Sequence, residues 1–370
     1  MSAAPVTSPA PHGRRAAGDL VFSAWSAVSP FGPDSESYGS GLRRGESALH
    51  DVDQETWPGP YTRAATVPGF SAAEALGKKG TRTMDRVTAL AVTTVGRLME
   101  ACGPDLAEHR ERTGLVLGTG SGSVQSIMDF TRDSLTGDKP YHVDPARFPN
   151  TVMNRATGQS AIWHGIKGPN TTIAGGWLTG LLALSYAARL FRGGHCDRVL
   201  CGAAEEYSVQ RAWLEWHSAK DGSRPALGEG GAAWLLETEG AAHEAGRTPL
   251  ARLRATRFRT YHAPGDAAAT LTRCVQDALA DAGVTPSEVG LVAPLGTSGE
   301  EEAVRAALGA REVRWLRVRP LLGDTSAAAT GFQTAAVLAA SEDGLLPSGT
   351  AALITGIDRD GTVGCAVLTG

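Results

Sequence analysis

The sequence has few cysteines and no strong excess of charge of either sign. Its five cysteines form no Cys-x-x-Cys pair, which excludes the disulfide framework of a small secreted domain and is typical of a reducing compartment. The 35 basic and 39 acidic residues give a formal charge of −4, so electrostatics does not favour nucleic acid or an anionic membrane as the main partner. We therefore expect a cytoplasmic protein that binds a small molecule or another protein.

Long apolar runs are also missing. The longest, Trp177–Phe191, is interrupted by polar residues and is shorter than the roughly 20 residues that a membrane-spanning helix needs. This run is predicted to be a buried core helix. Residues 1–17 contain three prolines and two arginines but no apolar segment of a secretion signal, which predicts a flexible N-terminal tail.

Strands alternate with helices along the rest of the chain, a pattern typical of a layered α/β fold. The same succession begins again after Gly246, which suggests two related halves, 18–248 and 249–370, in one compact unit. Three further predicted elements can be checked against the structure. They are a helix at Thr83–Cys102 with Thr83 as its N-cap, a strand at Val313–Val318 and a helix at Asp324–Ala340.

Two glycine-flanked turns lead into predicted helices. Free backbone N–H groups at such a turn can stabilise an anion, and the helix dipole lowers the pKa of a thiol placed there. The first turn, after Gly175 and Gly176, carries Trp177, which cannot act as a nucleophile. The second turn carries Asp324 after Gly323, and we interpret this aspartate mainly as a helix N-cap.

A third glycine-rich segment, Gly118–Gly122, lacks the Lys-Ser/Thr pair of a phosphate-binding loop and the spacing of a dinucleotide fingerprint. We interpret it as a tight turn. The sequence therefore predicts neither a cofactor nor a metal ion.

A block of short motifs occupies the middle of the chain. Its motifs are Pro149–Asn154, Gly158-Gln159, His164–Pro169, Asp197 with Cys201–Glu205, Arg224-Pro225, Leu227–Gly231 and Leu236-Glu237. Met84-Asp85-Arg86 lies upstream of this block, and Gly323 with Ala327-Ala328 lies downstream of it. Together these motifs resemble those of β-ketoacyl synthases, and the similarity covers residues 18–370.

This resemblance implies the thiolase-like α/β fold, in which two stacked βαβαβαββ halves form a five-layered α-β-α-β-α core. Elongating members of the family carry a Cys-His-His set, and these positions correspond here to Trp177, Pro294 and Asp324. A register shifted by one residue is an alternative at Pro294, but in either register the last histidine of the chain is His262. The segment Thr355–Gly364 also lacks the family's Gly-Phe-Gly-Gly loop.

Decarboxylative condensation needs a thiolate to carry the acyl chain and two imidazoles to support decarboxylation. Because this chain has neither at those positions, it resembles the chain-length factors, the partner subunits of bacterial type II polyketide synthases. The resemblance implies a heterodimer with a catalytic ketosynthase and, through that complex, contact with acyl carrier protein and its acyl or malonyl chains. Most chain-length factors carry Gln at the cysteine position. Trp177 and the short segment Tyr207–Arg224 therefore indicate a divergent branch, for which reduced polyene chains are one option.

Two groups of residues follow from this resemblance. The channel-lining helix of the family corresponds to a segment in which Val124, Ile127 and Thr131 share one helix face, and an ordinary amphipathic core helix is the alternative. Trp177 is interpreted either as a plug of the former acyl site or as ordinary core. The residues expected at the partner interface are Met153, Asn154, Asn170, Thr171, Thr172, Ile173 and Ala174.

Functions of two other classes stay open. An acyltransferase or decarboxylase on the same scaffold could use Glu205, Glu206 or Asp324 as an acid or base, although no Cys-His or His-carboxylate motif stands out. A non-catalytic homodimer that binds lipid is the other alternative. Cys201 lies within an apolar strand and is interpreted as core rather than as a nucleophile.

Overall fold

The computed structural model describes residues 20–219, 222–309 and 311–370, so the tail predicted at 1–17 lies outside the described residues. Strands and helices alternate along this part of the chain, as predicted. The strands are β1 (Leu20–Val28), β2 (His50–Asp51), β3 (Arg63–Ala65), β4 (Thr113–Gly118), β5 (Asn170–Ile173), β6 (Arg198–Glu205), β7 (Leu227–Gly228), β8 (Gly230–Thr238), β9 (Ala251–Thr260), β10 (Val289–Pro294), β11 (Arg314–Trp315), β12 (Ala351–Ile357) and β13 (Thr362–Thr369).

Several helices begin where a polar side chain caps free N–H groups, as Asp34, Ser123 and Ser208 do. None of the helices in the described ranges is long and apolar enough to span a lipid bilayer. The helices are α1 (Ser35–Arg44), α2 (Ala72–Leu76), α3 (Arg86–Cys102), α4 (Asp105–Glu108), α5 (Val124–Thr136), α6 (Arg155–His164), α7 (Thr179–Arg192), α8 (Val209–Ser218), α9 (Glu239–Glu244), α10 (Ala267–Ala282), α11 (Glu300–Leu308), α12 (Arg319–Leu322) and α13 (Ala329–Glu342).

Ten of the strands are hydrogen-bonded in the order β11-β10-β12-β13-β9-β1-β8-β6-β4-β5. The five strands on each side of the β9–β1 contact follow the same topology. In each set the strand at the outer edge is the third in chain order, followed by the second, fourth, fifth and first. The two sets meet where Val21 pairs with Arg252 and Phe22 pairs with Ala251. This repeated topology is the duplicated α/β architecture that the sequence predicts.

Three apolar clusters fill the spaces between the layers. In the central cluster, Leu184 of α7 and Phe332 of α13 belong to the same core as Trp234 and Ile354, which come from different sets of strands. A second cluster joins α3 to β4, β6 and β8, and a third joins α10 and α11 to β10, β12 and β13. Helices and sheets thus alternate as the five layers of the core.

The structure corrects the start of the helix predicted at Thr83–Cys102. This helix, α3, begins at Arg86, and its N-cap is Asp85 rather than Thr83. The reason is that Asp85 Oδ1 accepts a hydrogen bond from Thr88 N at 2.8 Å.

Two predictions in the C-terminal half are also wrong in extent. The strand predicted at Val313–Val318 is limited to β11, because the chain turns into the short helix α12. The helix predicted at Asp324–Ala340 begins only at Ala329, after a 3₁₀ turn at Ser326–Ala328. Asp324 is therefore not the N-cap of this helix, and its carboxylate binds other groups.

Candidate functional site

A cleft of about 790 Å³ opens where the two predicted turns meet. Trp177, which follows β5, and Asp324, which follows α12, both line it, so the structure brings these two residues together. Pro294 ends β10 next to the cleft and faces a small enclosed cavity together with Gly323 and Gln333. Other residues lining the cleft are Tyr261, Gly296, Thr297, Arg319, Asp358 and Arg359.

Charged side chains from two other segments hold the indole of Trp177. Its Nε1 donates a hydrogen bond to Asp324 Oδ1 at 3.1 Å. The guanidinium carbon of Arg319 lies 4.5 Å from the ring centroid, and that of Arg359 lies 5.3 Å from it. Both distances are typical of cation–π interactions. The half-buried indole therefore occupies the place at this turn that a nucleophile would take.

Asp324 is a buried carboxylate that binds groups of its own chain. Its Oδ1 accepts a hydrogen bond from Ser326 N at 2.8 Å in addition to the one from Trp177, and its Oδ2 accepts one from Arg319 Nη2 at 2.7 Å. Arg319 is the counter-ion that a carboxylate at 7% exposure requires. Asp324 thus orients Trp177 and Arg319 in the cleft.

The turn that leads into α7 carries a carboxylate from a distant part of the sequence. The backbone N–H of Trp177 donates a hydrogen bond to Asp358 Oδ2 at 2.5 Å, and Asp358 is itself buried. Burial raises the pKa of Asp358, while its hydrogen bonds from Asp360 N and Trp177 N act in the opposite direction. Sequence reasoning misses this residue, and the only signal for it is that Thr355–Gly364 lacks the family's glycine loop.

Glu205 and Glu206 are buried away from the cleft, at the end of β6. Glu205 Oε2 accepts a hydrogen bond from Gly120 N at 3.1 Å. Glu206 Oε1 accepts one from Gln125 N at 3.2 Å, and Glu206 lines a different cavity of about 580 Å³. Burial, and after it the charge of Asp85, raises the pKa of Glu206 to about 7. These glutamates hold the start of α5 and are not paired with Asp324 for acid–base chemistry.

All five cysteines are buried. Burial raises the pKa of Cys102 and of Cys274 to about 12 and raises the pKa of Cys201 well above its ordinary value. None of these thiols lines the cleft. Within residues 20–219, 222–309 and 311–370, no group of three or more His, Cys, Asp or Glu side chains is placed to hold a metal ion.

Helix α5 carries an apolar side that is exposed to solvent. Val124, at its first turn, is buried, but Ile127 is only half-buried and Thr131 is exposed. Met128 and Leu135 lie on the same side and are 48% and 80% exposed. We call Ile127, Met128, Thr131 and Leu135 the α5 face. The burial of Val124 agrees with the alternative drawn from the sequence, an ordinary amphipathic core helix, whereas the exposure of Thr131 is unlike it.

The opposite side of α5 is polar and lies against its own chain. Gln125 and Asp129 are half-buried and are joined by a hydrogen bond of 2.8 Å from Gln125 Nε2 to Asp129 Oδ2. Ser126, on the same side, lines two neighbouring cavities. The exposed apolar residues of α5 thus differ from the pattern of a surface helix of a monomeric protein, which turns its polar side outward.

The strand β5 lies at an outer edge of the sheet and pairs with β4 on one side. Helix α6 is fixed to it, because the hydroxyl groups of Thr157 and Thr172 lie 2.7 Å apart. The residues expected at the interface along this strand are exposed at Asn170 and Ala174 and half-buried at Thr171, Thr172 and Ile173.

The other two residues expected at the interface precede α6. Met153 is 42% exposed, and Asn154 is exposed as well. In the segment before them, Phe148 is 57% exposed, and its ring centroid lies 6.1 Å from that of Phe130 on α5. The segment that leads to α6 therefore also carries exposed apolar side chains.

Comparisons with known proteins agree with this architecture. The family described as "Beta-ketoacyl synthase, N-terminal domain" matches residues 19–242, which is more than half of the chain. The chain therefore belongs to the beta-ketoacyl synthase family. This membership confirms the resemblance drawn from the motifs and the predicted thiolase-like fold class.

Individual relatives agree with this assignment. The "3-oxoacyl-[acyl-carrier-protein] synthase 2" of Vibrio cholerae is 26% identical over 78% of this chain and 77% of its own length. The protein of the same name from Coxiella burnetii is 25% identical over 89% of this chain and 87% of its own length.

Solved structures extend the comparison. "The ishigamide ketosynthase/chain length factor" is 41% identical with a TM-score of 0.89, and the match covers 95% of this chain and all of that chain. A type II polyketide synthase acyl-carrier protein in complex with its ketosynthase matches 97% of this chain and 100% of that chain with a TM-score of 0.78. At 17% identity, the latter shows likeness of fold alone.

Proposed function

We propose that this chain is the non-catalytic partner of a β-ketoacyl synthase in type II polyketide biosynthesis. In this role it forms a heterodimer with a catalytic ketosynthase and shapes the tunnel that receives the growing acyl chain. The observation that carries the proposal is the α5 face, which leaves Met128 and Leu135 exposed to solvent. Exposed contiguous apolar surface of this kind marks a site of protein association.

The cleft supports a role without chemistry of its own. A condensing enzyme must hold the acyl chain on a nucleophile and stabilise the negative charge that develops during the reaction. Trp177 has no nucleophilic atom, and its backbone N–H and its indole N–H are both hydrogen-bonded to carboxylates. Neither of these two N–H groups is therefore available to stabilise an oxyanion at this turn.

The relatives support the partner role. The structure whose title names a ketosynthase and a chain length factor is 41% identical to this chain. The synthases cited above are 25% and 26% identical. This gradient favours a subunit of a ketosynthase pair over an elongating enzyme that acts alone.

Val124, Ile127 and Thr131 would form the contribution of this chain to the tunnel. They follow one side of α5 from its buried first turn to its exposed middle. Their side-chain volume would then limit the number of carbons that fit, because a tunnel holds only what its walls leave free. Acyl and malonyl chains would arrive on an acyl carrier protein that the complex as a whole receives.

The interface would include the edge strand and the segment before α6. The strand β5 is the outer strand of the sheet among the described residues, and the exposed Met153 and Asn154 directly precede α6. An edge strand pairs readily with a second chain. A permanent interface of this kind usually buries more than about 2,000 Å².

Co-expression with a catalytic ketosynthase of a type II polyketide synthase tests the proposal. The two proteins should co-purify as a 1:1 complex that consumes malonyl-carrier protein, while this chain alone consumes none. Turnover by this chain alone would contradict the non-catalytic role. A stable homodimer that does not bind the ketosynthase would contradict the partner role and favour the lipid-binding alternative.

A further inference from the structure

The backbone N–H of Trp177 lies in the 3₁₀ turn Gly176–Leu178, directly before the buried helix α7. Such N–H groups carry partial positive charge and bind anions readily. In this chain the N–H of Trp177 is taken by the carboxylate of Asp358, at 2.5 Å from N to Oδ2. An anion-binding position at this turn therefore already has an occupant from within the protein.

Gly176 provides the space for that carboxylate. Its φ of 58° lies in the left-handed region, where a side chain is unfavourable. A Cβ atom at this position would lie 2.2 Å from Asp358 Oδ2, so any other residue would displace the carboxylate. The turn at Gly176 and the position of Asp358 are thus matched to each other.

The loop after β12 fixes Asp358 from its other side. Its Oδ1 accepts a hydrogen bond from Asp360 N at 2.8 Å, and its own N–H donates to Thr362 O at 2.8 Å. The hydroxyl group of Tyr261 donates to its backbone oxygen. With 2% exposure, Asp358 is held in place by the protein and cannot swing out to solvent without breaking these bonds.

We propose that the Asp358 carboxylate occupies the anion-binding position at the start of α7. It blocks this position whether or not residue 177 carries a thiol. This inference rests on the proposed function only in taking the chain to be non-catalytic, and it adds a second obstacle to catalysis. A thiol restored at position 177 would sit beside a fixed carboxylate. The negative charge opposes the thiolate, and the occupied N–H cannot stabilise an oxyanion.

Alkylation of a cysteine introduced at position 177 tests the proposal. In this reaction a thiolate attacks the methylene carbon of iodoacetamide, a carbon–sulfur bond forms and iodide leaves. The reaction rate across pH reports the fraction of thiolate at position 177. The variants are Trp177→Cys alone and combined with Asp358→Ala, Asp358→Asn or Asp360→Ala. The buried native cysteines provide a background that is measured on the unchanged chain.

Removing Asp358 should lower the pKa of the introduced thiol and raise its alkylation rate at pH 7 by about tenfold, the effect of one pKa unit. Asp358→Asn removes the charge but keeps the shape, so it should give an intermediate rate and keeps the test valid if Asp358→Ala unfolds the loop. Asp360→Ala is the matched control, because the Asp360 side chain makes no hydrogen bond to Trp177 N, and it should leave the rate unchanged. Asp324, Arg319 and Arg359 are present in every variant, so their charges cannot explain a difference.

Equal rates in Trp177→Cys, with and without Asp358, would overturn the proposal. The proposal would also be overturned if Asp360→Ala raised the alkylation rate as much as Asp358→Ala does, because the rate would then report the total charge of the loop. This outcome is distinct from failure of the proposed function, because it is read on the isolated chain without any ketosynthase. Conversely, a chain that fails to pair with a ketosynthase would leave the alkylation result intact.

Discussion

The Trp177 cleft and the α5 face differ in how far contacts within the chain satisfy their side chains. In the cleft, the backbone N–H and the indole N–H of Trp177 have partners within the chain, and the Asp324 carboxylate is paired with Arg319. On the α5 face, Met128 and Leu135 are left exposed, although their burial would be favourable. A region whose groups are satisfied internally has little to offer a substrate, whereas a region of unburied apolar groups offers binding energy to another protein.

This contrast separates the parts of the molecule that its own contacts hold together from the surface that is left exposed. The thiolase-like core is retained in both halves, because it depends on buried apolar residues in three clusters. Trp177 stands at the position suited to a nucleophile and forms hydrogen bonds with Asp324 and Asp358 of its own chain. The four predictions below test whether the two regions behave as differently as their contacts imply, beginning with the largest effect.

Negative charge introduced on the α5 face should strongly weaken association with the ketosynthase. In the variant Met128→Glu with Leu135→Glu, two carboxylates would have to lose their water at an apolar interface, which weakens association with the ketosynthase by roughly 100-fold. Affinity measured by surface plasmon resonance checks this. Leu345→Glu is the matched control, because Leu345 is 38% exposed and lies outside α5. If the double variant and the Leu345→Glu control bind the ketosynthase with equal affinity, the α5 face is not the interface.

Loss of the indole should destabilise the chain. Trp177→Ala removes the cation–π contacts of Arg319 and Arg359 and one hydrogen bond to Asp324, and we expect the free energy of unfolding to fall by about 3 kcal/mol. Urea denaturation measures this change. Trp213→Ala, at a residue that is 41% exposed, should cost less than about 1 kcal/mol. If both variants lose the same small amount, Trp177 does not hold the cleft together.

Glu206, which accepts a hydrogen bond from the first turn of α5, should make the free energy of unfolding depend on pH. Its pKa is raised from 4.5 to about 7 by burial and then by Asp85, so the folded chain keeps a proton that the unfolded chain has lost between these values. The stability that this group contributes is therefore fully present below pH 4.5 and is lost as pH rises through 7, by about 3 kcal/mol, since one pKa unit corresponds to about 1.4 kcal/mol.

Glu206→Gln should remove that part of the pH dependence, since glutamine imitates the protonated acid. Chemical denaturation at pH 5 and pH 8 measures the difference in the free energy of unfolding. Glu302→Gln, at an exposed position on α11, serves as the control and should leave the difference as it is in the unchanged chain. A Glu206→Gln protein with an unaltered pH dependence would contradict the assignment.

The smallest effect is expected on the length of the product. Ile127→Phe or Val124→Phe adds volume on the side of α5 that we propose as tunnel wall, so the assembled complex should release shorter chains. Mass spectrometry of the products checks this, with Leu345→Phe as the control of equal bulk. Unchanged lengths in an intact complex of both variants would remove these residues from the tunnel.

Much of the fold could be predicted from the sequence, because local patterns determine its elements. The buried helix predicted within Trp177–Phe191 is present as α7, and the repeated topology follows from the recurrence of strand and helix patterns after Gly246. The boundaries were less predictable. Asp85 competes with Thr83 for the same N–H groups, and only the folded geometry shows which residue caps α3.

The candidate site was predictable in part. Counting along motifs leads to Trp177 and Asp324, and the structure brings these two together in one cleft. Asp358 could not be predicted, because it lies 181 residues from Trp177 in the sequence and no local pattern connects them. The direction of the α5 face was also beyond sequence reasoning. A helical pattern identifies an apolar side but does not say whether that side meets the core or the solvent.

The sequence by itself determined the family, the duplicated α/β fold and the absence of a cysteine or histidine at the positions where the scaffold would use them. These properties depend on residue identity and spacing, which are visible in one dimension. The tertiary structure alone decided that Asp358 occupies the N–H of Trp177 and that α5 turns its apolar side outward. Both depend on which distant segments pack together, and that is set by the balance of burial and hydrogen bonding over the whole chain.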